Sequence, residues 1–141
     1  EGYATEITDF IPEGLEFKEE DNKAYGWTKE GENKVTTRSL ETKLLKPGES
    51  AEVEIVFTWK NNTNNLGLKT NIAEITEDNN EHNSKDIDST PDNKKDGEDD
   101  IDVAKVILSI ATGSAKTYFT LTLGLLTIVL VGIALIKRFV I

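Results

Sequence analysis

Apolar and polar positions alternate most cleanly between Ala51 and Trp59. Ala51, Val53, Ile55, Phe57 and Trp59 fall on one side, and Glu52, Glu54, Val56 and Thr58 on the other. A period of two with one apolar face predicts a half-buried β-strand. Lys46-Pro47-Gly48-Glu49 stands before it. Pro presets φ and Gly accepts a positive φ, so this tetrapeptide predicts a type II turn. Tyr3 to Phe10 is β-prone and ends at Ile11-Pro12-Glu13-Gly14, after which Leu15 and Phe17 open a short strand. Asn61 to Asn65 is a turn cluster. It leads into a strand from Leu66 to Thr76, with Asn71, Ala73 and Ile75 sharing one face. A last alternation runs through Asp102, Ala104, Val106, Leu108 and Ile110, while Leu40 to Leu45 suits either a strand or a helical turn. Short strands separated by turns predict a mainly β chain folded as an antiparallel sandwich.

The pattern changes at Tyr118. From there to Ile136 the chain reads YFTLTLGLLTIVLVGIALI, with no charge. Nineteen residues at about 1.5 Å each give about 28 Å, close to the roughly 30 Å apolar thickness of a bilayer. Twelve of them are Leu, Ile, Val or Phe. At roughly −0.3 to −0.6 kcal/mol each, these favour insertion by about 4–7 kcal/mol. Residues 118–136 are therefore expected to form one transmembrane helix. Lys137 and Arg138 flank it, and basic flanks stay on the cytoplasmic side. The expected layout is an extracellular β ectodomain over 1–111, a juxtamembrane linker over 112–117, the span, and a cytoplasmic tail over 137–141. The chain is then single-pass in the cell membrane, with its N-terminus outside and the lipid bilayer as a partner.

Composition narrows the chemistry. The formal net charge is −10, and no acidic residue follows Asp102. Nucleic acid is excluded as a partner, because phosphate binding needs a basic face. No cysteine is present, which removes disulfides and thiolate catalysis. The absence of methionine, together with a chain that enters a strand at its first residues, points to a processed chain or the C-terminal part of a larger protein. On that reading the sandwich lacks its first strand, and the sheet edge beside Tyr3 to Phe10 is expected to be open.

Three runs carry a family likeness: ATEITDFIPEGLEF, LLKPGESAEVEIVF and TNIAEIT. Asp9, Pro12, Gly14 and Leu15, then Leu45, Pro47 and Gly48, then Asn71 and Ala73 fall where that pattern has its markers. The chain resembles the conserved-repeat immunoglobulin-like domain of bacterial cell-surface proteins over about residues 3 to 110. It departs at the start, where the family's opening strand and its Asn-x-Gly turn are missing. The resemblance implies an immunoglobulin-like antiparallel sandwich serving as a stalk or adhesive module, without enzymatic activity.

The segment over 77–102 is acidic. Between Glu74 and Asp102 there are twelve carboxylate residues against three lysines. Asn79 to Lys85 and Asp92 to Gly97 are good turn formers and read as solvated loop. A sharper reading is a Ca²⁺ site, since calcium takes six to eight oxygen ligands and would relieve repulsion among crowded carboxylates. The candidate ligands are Asp86 and Asp88, which share one side of an extended chain, and Asp99, Asp100 and Asp102. The spacing is not that of an EF-hand. The order Asp86-x-Asp88-Ser89-Thr90-Pro91-x-Asn93 followed by Glu98-Asp99-Asp100 resembles a recurring element of the surface-protein family. His82, the single histidine, lies in a polar loop and reads as a surface residue. Asn61-Asn62-Thr63 is a glycosylation sequon with meaning only in a eukaryotic secretory setting.

Asn71 on an inward face has two readings. It hydrogen-bonds neighbouring backbone, or it is joined to a lysine by an isopeptide bond beside a buried Asp or Glu. Ahead of the span, Ile110-Ala111-Thr112-Gly113 keeps the Thr-Gly of a sortase signal without its Leu-Pro, which favours retention in the membrane over transfer to a cell wall. Three function classes follow. A stalk or adhesin base that displays upstream domains of the same chain is the leading expectation. A ligand-binding or receptor ectodomain, contacting host or neighbouring surface proteins through an exposed apolar patch, is the alternative. Trp27 is expected in the core rather than at such a patch. An enzyme would need a convergent acid/base pair in a pocket, and the paired acids here stand in loops.

Overall fold

The computed structural model describes residues 1–60, 65–82, 84 and 89–109, together with the backbone of 126–128. The chain is mainly β and antiparallel. Its strands are β1 (Gly2–Phe10), β2 (Leu15–Phe17), β3 (Trp27–Glu30), β4 (Lys34–Thr37), β5 (Val53–Ile55), β6 (Phe57–Trp59), β7 (Gly67–Asn80), β8 (Ile101–Leu108) and β9 (Leu126–Ile128). A short helix α1 (Glu19–Asn22) and one 3₁₀ turn over Lys23–Tyr25 join β2 to β3. Five strands form one sheet in the order β3-β4-β1-β7-β8, and β2 pairs with β6 and β5 with β9. Side chains from the five-stranded sheet and from β2, β5 and β6 share one core, including Ile7, Leu15, Phe17, Trp27, Val35, Ile55, Phe57, Ala73 and Leu108.

The expected open edge beside Tyr3 to Phe10 is not there. β1 is the central strand, paired with β4 on one side and β7 on the other. The neighbour that fills the edge is β4, whose Lys34-Val35-Thr36-Thr37 has one apolar residue and so carries little hydrophobic pattern. Val35 and Thr37 nevertheless point inward and are buried. The β3–β4 hairpin buries Trp27, which is 2% exposed and donates its indole N–H to the carbonyl of Glu54 at 2.6 Å.

Two turns follow their local chemistry. The Glu49 N–H reaches the Lys46 carbonyl at 2.9 Å with Gly48 at φ +87°, the type II geometry expected from Pro47-Gly48. The Leu15 N–H reaches the Pro12 carbonyl at 3.0 Å with Gly14 at φ +84°. A Cβ on Gly14 would meet Asn65 Cγ at 2.8 Å, so both the backbone and its surroundings require glycine.

The strand expected from Ala51 to Trp59 is interrupted at Val56. The cause is Asn22, fully buried at the end of α1. Its Oδ1 accepts the Val56 N–H at 2.8 Å and its Nδ2 donates to the Val56 carbonyl at 2.8 Å and to the Lys18 carbonyl at 2.9 Å. Both backbone groups of Val56 go to a side chain instead of a neighbouring strand. β5 and β6 can therefore take different partners, β9 and β2. Leu40 to Leu45 is mostly turn, ending in an isolated bridge between Leu45 and Gly2.

Among the described residues no helix is long and apolar enough to cross a membrane. The span expected over 118–136 lies outside them except at Leu126–Ile128. There the backbone forms β9, antiparallel to β5 in the register Val53↔Ile128, Glu54↔Thr127 and Ile55↔Leu126.

Candidate functional site: a buried acid–amide pair beside an acidic loop

β1 and β7 lie side by side with Asp9 opposite Ala73. Asn71 is two residues along β7 and therefore on the same inward face. Ahead of this point the β1–β7 ladder shifts register at Ala4–Glu6 and again at Glu6–Ile7. The shift changes which positions face the core, so that Ala4 and then Ile7 and Asp9 are buried. Asp9 is 0% exposed and Asn71 2%.

Asn71 Nδ2 donates to Asp9 Oδ2 at 2.6 Å. Asp9 Oδ1 and Asn71 Oδ1 are buried and have no hydrogen-bond partner among the described residues. Burial is the dominant influence on Asp9. It pushes the carboxyl up to about 7, against the opposing pull of the Asn71 hydrogen bond. An ionised carboxylate would leave two buried acceptors facing apolar surroundings, each costing about 1–3 kcal/mol. A proton on Asp9 Oδ1 makes one of them a donor. The neutral acid is thus the form this environment favours up to about pH 7.

The outward face of the same strands carries the acidic loop. Glu74, on β7, is fully buried and accepts the backbone N–H groups of Asn93 at 3.1 Å and Lys94 at 3.3 Å. Glu98 accepts the Thr90 N–H and Asn93 Nδ2, both at 2.9 Å, and Lys95 Nζ at 3.0 Å. These bonds hold its carboxyl below the usual range, the Thr90 N–H contributing most. Lys34 pairs with Asp92, and Lys94 Nζ stands 3.8 Å from the centre of the Phe10 ring. Residues 92–97 were expected as solvated loop. They are exposed, but they are also tied down onto β1, β4 and β7, which explains why Phe10, pointing away from the core, is buried.

Of the five calcium candidates, Asp86 and Asp88 lie outside the described residues. Asp100 is buried, and burial followed by repulsion from Glu74 raises its carboxyl to about 6. Asp99 and Asp102 are half-buried, and Asp102 Oδ1 accepts the Val103 N–H at 2.8 Å. Among the described residues no group of three acidic or histidine side chains is placed to hold a metal ion. The sequence reading missed Glu74 and its role in folding the loop. A carboxylate following Ala73 in an alternating strand reads as solvent-facing, and nothing local announces the backbone amides that reach it 19 and 20 residues later. His82 is exposed, and its N–H bonds Asn80 Oδ1 at 3.1 Å.

Among the described residues the exposed large apolar side chains are Leu66, Leu68, Val103 and Ile107. Leu68 and Ile107 are direct partners across β7 and β8.

A scan against family models and searches of curated proteins and of solved structures find no match to this chain. The resemblance to the conserved-repeat domain rests on the motif residues alone.

Proposed function

We propose that the chain is a membrane-anchored, non-catalytic cell-surface module whose β ectodomain displays other domains as a stalk or adhesin base. The observation that carries this reading is the uncharged span 118–136, flanked by Lys137-Arg138 and following closely on an antiparallel β body. A nineteen-residue apolar run with a basic flank on one side has few other uses in a small acidic protein. The β body is read as an immunoglobulin-like sandwich, because the core of the described residues draws on a five-stranded sheet and, facing it, on β2, β5 and β6. Two glycine turns and Asn71 fall at the positions the family likeness marks.

The ectodomain is outside the cell and its partners are the bilayer and the domains it carries. The test is fractionation with surface proteolysis. Intact cells treated with protease should lose the ectodomain, while the residual fragment stays in membranes through alkaline extraction. Release of the whole chain by alkali, or protection of the ectodomain in intact cells, would overturn the reading. A second reading, a ligand-binding ectodomain, is favoured by the exposed Leu68–Ile107 pair, which forms an apolar strip near the membrane-proximal end of β8.

A further inference from the structure

We propose that the ectodomain rests on the bilayer surface through the end of its β7–β8 ladder, with Leu68 and Ile107 seated among the lipid headgroups. The proposal deepens the anchored reading above and rests on it.

The β7–β8 ladder runs from Gly67↔Leu108 to Glu74↔Ile101, but β1 accompanies β7 only as far as Ile72. Among the described residues, Gly67–Asn71 and Ala104–Leu108 therefore form a two-stranded ribbon beyond the end of β1. Asn71 and Leu108 are buried on the inward face. By alternation Leu68, Val103, Lys105 and Ile107 stand on the outward face. Leu68 is 60% exposed and Ile107 73%, side by side across the ladder. Leu66, also exposed, directly precedes β7.

The charge at this end differs from that of the rest of the chain. The sequence has 26 acidic residues, yet none lies in 66–71 or 103–109, where the ionisable side chains are Lys69 and Lys105. Such side chains lay their apolar stems along a surface and direct their ammonium groups to lipid phosphates.

The chain itself brings this end to lipid. Nine residues separate Leu108 from Tyr118, where the uncharged run starts. Fully extended at about 3.3–3.6 Å each, they reach about 30 Å at most. Size decides against a free protein partner. Leu66, Leu68, Val103 and Ile107 are too few to supply the roughly 800 Å² per partner of a stable interface. A tethered surface needs less, because the tether makes docking intramolecular.

The chain has no cysteine, so one introduced thiol can carry a fluorescent label without competition. The test uses the full chain reconstituted in phosphatidylcholine–phosphatidylglycerol vesicles, labelled at Thr70→Cys, Thr28→Cys or Thr127→Cys. Thr70 is exposed between Leu68 and Ile72, Thr28 is exposed on β3 at the other side of the sheet, and Thr127 lies in the apolar run. Nitroxide lipids labelled on the headgroup or deep in the acyl chain quench whatever lies at their depth. The acyl nitroxide should quench the Thr127→Cys label, and the headgroup nitroxide should quench Thr70→Cys severalfold more than Thr28→Cys. Adding Leu68→Glu and Ile107→Glu, both at exposed positions, should bring Thr70→Cys down to the Thr28→Cys level and leave Thr127→Cys unchanged. Equal quenching at Thr70→Cys and Thr28→Cys in the unaltered background, with Thr127→Cys quenched, would overturn the docking while the anchor stands. A Thr70→Cys label shielded from water but untouched by the headgroup nitroxide would assign the patch to a second copy and also overturn it. An unquenched Thr127→Cys label would refute the anchored reading and the proposal with it.

Discussion

Replacing Asp9 by Asn should flatten the pH dependence of stability in a calculable way. The Asp9 carboxyl is raised from about 3.8 in the unfolded chain to about 7 in the fold, chiefly by burial. A raised carboxyl pKa means that the folded state binds the proton more tightly than the unfolded one. Stability from this group is then fully present below the unfolded pKa and is lost as pH rises toward the folded one. A shift of about three units corresponds to about 4 kcal/mol in all, at 1.36 kcal/mol per unit. Between pH 5 and pH 8 the part lost is about 2.5 kcal/mol, because at pH 5 roughly a third of the total has already gone. Above pH 7 the contribution levels off.

Asn at position 9 has no proton to lose. Its amide can donate to Asn71 Oδ1 while its carbonyl still accepts from Asn71 Nδ2, which removes both orphaned acceptors. The assay is urea unfolding of the purified chain at several pH values from 5 to 8. Comparing wild type with Asp9→Asn cancels the other titrating groups, including Asp100. The expected result is that wild type loses about 2.5 kcal/mol more than the variant over this range, and that the variant is the more stable protein at pH 8. Equal slopes in the two proteins would refute the reasoning, since they would place the carboxyl's titration outside this window.

Asn22→Ala removes three hydrogen bonds and orphans both backbone groups of Val56, so a loss of about 3 kcal/mol in chemical denaturation is expected, larger than for an exposed residue of α1. Gly14→Ala forces a positive φ on a residue with a Cβ and a collision with Asn65, and should lower stability by about 2 kcal/mol in the same assay. On the proposed anchoring, mixing the chain with lipid vesicles should speed backbone hydrogen exchange at Val53–Ile55, where β9 pairs, and leave Phe57–Trp59 unchanged, because β6 pairs with β2. Unaltered exchange at Val53–Ile55 would count against that coupling.

The parts of the fold that could be read from the chain were those where local and global requirements agree. The Pro47-Gly48 turn, the alternation around Ile55 and Phe57, and the Asn71-Ala73-Ile75 face each carry their own signal. Asp9 and Asn71 were both visible as markers of a family likeness, and Asn71 was expected inward. Their contact was not legible, because it joins positions 62 residues apart and depends on a register shift in β1 that no alternation rule foresees. β4 was missed for a different reason. Lys34-Val35-Thr36-Thr37 has β-branched residues but almost no hydrophobic contrast, and its place in the sheet is set by the strands on either side. The break at Val56 is a third kind of miss: the interrupting group, Asn22, belongs to another element. The acidic segment showed its charge but not its fold, since Glu74 acts through backbone amides that any residue could supply.

Two roles compete for Leu126–Ile128. These residues lie in the apolar span of the sequence and also form the strand on β5. A membrane helix satisfies its own backbone bonds, so the same residues cannot serve β5 while they cross a bilayer. Three register pairs contribute about 2–3 kcal/mol at about 1 kcal/mol per hydrogen bond. The twelve large apolar residues of the span favour insertion by about 4–7 kcal/mol. On the proposed anchoring, insertion as a helix outweighs the β5 pairing where lipid is present, and Val53–Ile55 loses its β9 partner.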